Sequence, residues 1–91
     1  MFKGRKVYEW FLEGAKEALK QAELVIIETY NYQLTTDCLK YYQMCVYMEK
    51  LGFSSIEIVD FMQRKFDNSF WQMDTFFIPS SRNEFKHTQY I

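Results

Sequence analysis

Apolar residues recur at three- and four-residue steps through the first third of the chain: Val7, Phe11, Gly14/Ala15, Ala18, Ala22, Val25 and Thr29. With no proline and many strong helix formers, this pattern predicts one long amphipathic helix from about Val7 to Tyr30. Gly14, Ala15, Ala18 and Ala22 form a strip of small residues on which a second helix can pack closely. Leu24-Val25-Ile26-Ile27 is apolar nearly all round, so that end is expected to be buried on more than one side, by the domain or by a second copy.

Asn31-Tyr32-Gln33-Leu34 reads as a connection, after which Thr35 or Thr36 can cap a second helix running to about Leu51. The strongest local punctuation comes at the end of that helix. Gly52 stands where a helix end needs positive φ, and Phe53 is placed to cover Met48 one turn back. Ser54 with Glu57 forms a capping-box pattern, and Phe53 with Ile58 can form a hydrophobic staple. These signals predict a helix-turn-helix corner at Gly52-Phe53-Ser54 and a third helix through Phe66, broken at Asp67-Asn68-Ser69. Pro79 ends any helix in the aromatic stretch Phe70–Ile78, and Ser81 with Glu84 opens a short final helix to about Tyr90. The expected fold is therefore a single all-α domain over residues 1–91: a long N-terminal helix packed on an αα-hairpin, with the aromatic C-terminal segment laid across it.

Composition adds a real core to that picture. The chain is 48% hydrophobic and 20% aromatic, with three Gly and one Pro, which excludes a disordered or collagen-like chain. The absence of an uncharged apolar run near membrane-spanning length argues against a transmembrane helix. Basic residues near the start are interrupted by Glu9 and Glu13, unlike a signal peptide. A cytoplasmic setting is expected.

Net charge is −1, but residues 21–60 hold six acidic and two basic groups, so the middle is acidic and the ends mildly basic. Without a dense basic stripe, nucleic acid is disfavoured as the main partner. A small basic partner surface can meet the acidic middle, although a solvated face explains the same charges. Cys38 and Cys45, seven residues apart on one expected helix, cannot bridge each other. One His and no CxxC pair leave too few ligands for zinc, and no cofactor or metal site is expected.

The leading functional expectation is a non-enzymatic intracellular protein-binding module: an inhibitor, adaptor or regulator, prone to self-association, acting through an aromatic and Met-lined helical surface. Trp71, Phe76, Phe77, Tyr41 and Tyr47 are its candidate partner-binding residues, since aromatic side chains are typical interface anchors. The size and composition would suit a bacterial or phage accessory protein.

Two resemblances supply alternatives. Leu51-Gly52-Phe53-Ser54 followed by Glu57-Ile58 resembles the LGFS…EI turn of MerR-type regulators, implying a helix-turn-helix DNA-binding protein. Arg82-Asn83-Glu84-Phe85-Lys86-His87 resembles the R-x4-H pattern of the HEPN family of helical ribonucleases. That second likeness implies a ribonuclease or a toxin–antitoxin-type RNA-binding protein. His87 would be its general acid or base, Arg82 would stabilise charge on phosphate, and Asn83 would orient the pair.

Overall fold

The computed structural model describes residues 19–91. It is not all-α. Strand β1 (Val25–Tyr30) leads through a loop to one helix, α1 (Tyr41–Lys50). Strands β2 (Phe53–Gln63) and β3 (Phe70–Pro79) then form a hairpin, and a single 3-10 turn spans Asn83–Phe85. The sheet order is β1-β3-β2, antiparallel throughout, so β3 lies in the centre and is paired on both sides.

The expected helical bundle fails for identifiable reasons. Val25, Ile26, Ile27 and Thr29 are β-branched and pack better on a pleated surface than on a helix. They form β1 where the pattern predicts the end of the long first helix. The first eighteen residues of the chain, including Gly14, Ala15 and Ala18 of the small-residue strip, lie outside the described residues. In the last segment, Trp71, Met73, Thr75 and Phe77 alternate with Gln72, Asp74 and Phe76, which is the period of a strand with two different faces.

The glycine signal is correct, but Gly52 leads into a strand rather than a helix. Gly52 has φ +88°, and its N–H donates to Glu49 O at 3.0 Å, closing α1. Phe53 is buried with Met48 in the core, as the local pattern requires. Ser54 does not cap a third helix. Its hydroxyl donates to Glu49 Oε1 at 2.8 Å and lies 2.6 Å from Ser80 Oγ, while Glu57 accepts the neighbouring Ile58 N–H. The helix-turn-helix corner is thus a helix-turn-strand corner. Likewise α1 begins at Tyr41 rather than at Thr35 or Thr36, with the Lys40 N–H donating to Gln43 Oε1. The Ser81/Glu84 helix is reduced to the Asn83–Phe85 turn, and Glu84 instead binds Arg82.

One face of the sheet carries the core. Phe77 and Met48 are completely buried, joined by Met44, Phe53 and Leu39, with Val25 and Ile27 packed against them. Each such side chain removed from water contributes about 1.5–3 kcal/mol. The two buried threonines on this face satisfy each other: Thr29 Oγ1 is 2.9 Å from Thr75 Oγ1 and donates to Met73 O at 3.0 Å.

The β2–β3 hairpin is closed by a tightly bonded loop. Asn68 adopts φ +62°, which Asn tolerates better than most residues, and its N–H reaches Arg64 O at 2.9 Å. Arg64 grips Asp67 through two bonds of 2.9 Å each, and the Ser69 N–H donates to the same carboxylate. These donors hold the Asp67 carboxyl well below the usual carboxylate range, Arg64 contributing most. The break expected at Asp67-Asn68-Ser69 is therefore the hairpin turn.

Candidate interaction surface

The sheet face away from α1 is built in three cross-strand rows. Register places Ile26 beside Phe76 and Glu57, then Glu28 beside Asp74 and Val59, then Tyr30 beside Gln72 and Met62. Ile26, Val59 and Met62 are exposed, while Phe76 is half-buried between its neighbours. β2 also exposes Ile56, Ile58 and Phe61, and the hairpin loop exposes Phe66, 87% accessible. Ile58 pairs with Thr75 and so belongs to the α1 side, whereas Ile26, Val59 and Met62 share the outer face, and such a shared set is not the ordinary scatter of single surface hydrophobics.

β2 is an edge strand, yet it is poorly suited to recruiting another strand. Its register with β3 shifts between Ser55 and Glu57 and again between Val59 and Met62, and Asp60 inside the second irregularity has φ +55°. Bulges of this kind twist an edge away from flat pairing. Among the described residues β1 forms the other edge, in unbroken register with β3, so the β1 edge and the outer face are both open.

The middle row is electrostatically strained. Glu28 and Asp74 are directly opposed across β1 and β3, and the Asp60 carboxyl contacts that of Asp74. Like charges in this position destabilise a sheet. Desolvation first, then Asp60, then Glu28 push the Asp74 carboxyl above its ordinary value. The ion pairs of Arg64 with Asp67 and of Arg82 with Glu84 bring no cation to this row. Tyr30 donates its hydroxyl to Glu28. Among the described residues no group of three or more His, Cys, Asp or Glu is arranged to hold a metal ion.

This row makes stability depend on pH, with a definite sign. A raised native pKa means that the folded state holds the Asp74 proton more tightly than the unfolded chain does. Ionised Asp74 therefore subtracts stability at neutral pH, and the penalty disappears as pH falls below the unfolded value of about 3.9. Asp74→Asn is expected to raise the Tm at pH 7 and to lose that advantage by about pH 3. Thermal melts of both proteins across this range check it; an advantage independent of pH contradicts an origin in the ionisation of Asp74.

The expected partner-binding residues fall in different surroundings. Trp71 and Tyr41 belong to an aromatic belt at the base of the hairpin. Trp71 meets the edge of Tyr30 at 6.1 Å between centroids and a tilted Tyr32 at 5.9 Å. Phe70 lies between Tyr41 at 5.1 Å and a stacked Phe61 at 5.4 Å. The Arg64 guanidinium sits 4.2 Å over Tyr32 and 5.1 Å from Phe66, tying the belt to the loop. Tyr47 is half-buried against the core and lines a shallow concavity of about 250 Å³ with Leu39, Tyr42 and Val46. Phe76 is on the outer face, and Phe77 is wholly inside.

Arg82, Asn83 and His87 lie near the chain's end. Arg82 binds Glu84 at 3.0 Å, Asn83 starts the 3-10 turn, and His87 is exposed beyond it. Cys38 is buried with its Sγ 3.0 Å from Thr35 Oγ1. Burial, then Glu49, push the half-buried Cys45 thiol up, which weakens it as a nucleophile. No helix among the described residues is long and apolar enough to cross a membrane.

Val59, Met62, Glu28 and Asp60 were not singled out by sequence reasoning, and Ile26, expected to be buried with Leu24, is exposed with it. The period-two patterns of 25–30 and 70–79 were the available signal, because they sort alternate residues onto a second face. Fold and surface together define a small antiparallel sheet covered on one side by a helix. Comparison with protein-family models, with curated proteins and with solved structures gives no match.

Proposed function

We propose that the protein is a non-enzymatic protein-binding module, working as an inhibitor, adaptor or regulator through the outer face of its sheet. The observation that carries this reading is the exposed apolar set Ile26, Val59 and Met62 around half-buried Phe76. In a three-stranded sheet one face needs a covering layer for stability, and α1 supplies it on the Phe77 side. Apolar side chains on the other side add nothing to that core, and burying them against a partner recovers their transfer free energy. The aromatic contacts of Trp71 with Tyr30 and of Tyr41 with Phe70 lie toward the hairpin-loop end of the sheet.

The test is site-specific photocrosslinking in cells. A photoreactive residue at position 59 or 62 is expected to give discrete protein adducts that survive nuclease, whereas one at position 86, on the exposed C-terminal segment, gives none. Adducts to nucleic acid, or the same adducts from all three positions, would overturn the reading.

A further inference from the structure

We infer that the outer face receives an amphipathic helix of the partner protein carrying Lys or Arg in the middle of its apolar stripe. This rests on the protein-binding reading and names the chemistry of what is bound. The carboxylate row of Glu28 and Asp74, with Asp60 reaching in from the bulge, runs across the sheet between two rows with apolar members. Ile26 and Phe76 lie on one side of it, and Tyr30 and Met62 lie on the other. An uncharged apolar helix would bury the row with no counter-charge, Glu28 keeping only the Tyr30 hydroxyl, which costs more than its contacts return. A purely basic segment would leave the flanking rows wet.

The open layer over the sheet sets the form of the occupant. Same-face rows along a strand are about 6.6–6.8 Å apart, two residues at a time. Side chains on successive turns of a helix are about 5.4 Å apart. Over two steps the helix advances about 10.8 Å against about 13.4 Å for the rows, a difference that the long, flexible stem of a Lys or Arg spans. A helix laid on this face completes a three-layer sandwich with α1 on the other side. A strand paired to the β1 edge is the poorer occupant, since it would extend the sheet and leave the carboxylate row and its apolar neighbours uncovered.

The cross-strand opposition of Glu28 and Asp74 gains a purpose in this arrangement. Two carboxylates that weaken the free sheet become the counter-charge for one bound cation. Acidic residues concentrated in 21–60 are expected to serve the same end by steering a basic partner toward the molecule.

The experiment uses the full chain, labelled with nitrogen-15, and synthetic peptides. The probe is a capped, Ala-rich helical peptide of about 18 residues presenting Leu, Lys and Leu on successive turns of one face. A second peptide has Glu in place of the Lys. The Lys peptide is expected to shift the amide signals of Glu28, Val59, Asp60 and Asp74 and to bind about tenfold more tightly than the Glu peptide. Glu28→Gln combined with Asp74→Asn should abolish that difference while the spectrum remains that of a folded protein. Equal shifts of the face by both peptides would overturn the cationic requirement and leave the docking surface standing. No shift of the face by either peptide would overturn the helix inference, while the photocrosslinks from positions 59 and 62 judge the broader reading separately.

Discussion

Met48→Asp is expected to abolish folding at pH 7. Met48 is completely buried in contact with a cluster of Met44, Phe53, Phe77 and Leu39, none of which offers a side-chain hydrogen-bond donor. A carboxylate placed there loses its hydration and gains no partner, a cost of several kcal/mol. The lost methionine burial adds about 2–5 kcal/mol. Domains of this size hold only about 5–15 kcal/mol in total. The helix cannot survive separately, because ten residues are too few to stay helical in water without tertiary packing. Circular dichroism and proton–nitrogen spectra should therefore report loss of helix and sheet together. Val46→Asp, two residues earlier on the same helix at an exposed position, should leave the spectrum native. Met48→Leu should cost less than about 1.5 kcal/mol. A folded Met48→Asp protein would mean that α1 does not lie on the sheet at this point.

The contrast between Met48 and Val46 also marks what sequence can reveal here. The end of α1 was legible because its causes are local: Gly52 accepts positive φ, and Phe53 folds back over the preceding turn. The strand beyond it was not. Ser54-Ser55-Ile56-Glu57 satisfies the rule for opening a helix, but a cap lowers the cost of starting a helix and does not decide whether one forms. The deciding interactions join Phe53–Gln63 to Phe70–Pro79, and Val25–Tyr30 to the same strand across more than forty residues. Such pairings leave only period-two alternation in the sequence, and in β2 the two bulges break even that. The surface inherits the same limit. Trp71 and Tyr41 could be picked out as aromatic, and both make ring contacts near the hairpin loop. The carboxylate row could not, because Glu28 and Asp74 become neighbours only through the strand register.

Phe76 and Phe77, adjacent in sequence, are expected to part sharply on substitution. Phe77→Ala should cost about 3–5 kcal/mol, since its ring is fully buried at the centre of the core on the middle strand. It pairs with Val25 on one side and Ser55 on the other, so neither neighbouring strand supplies a large side chain to close over the vacancy. Phe76 points to the opposite face beside Ile26 and Glu57, where its ring is only half-buried. Phe76→Ala should cost about 1 kcal/mol, in keeping with partial burial. Urea titrations followed by tryptophan fluorescence measure both, and unchanged slopes would show that stability rather than compactness has moved. Binding should rank the two in reverse. At temperatures where both variants are folded, Phe76→Ala should weaken capture of the Lys-bearing helical peptide and Phe77→Ala should leave it nearly unchanged. Equal stability losses at the two positions would contradict the separation of faces, because only a strand sends consecutive residues to opposite sides. The same alternation that hides Phe77 is what delivers Phe76 to the surface. A helix through this segment would have set the two rings only about 100° apart around its axis rather than on opposite faces.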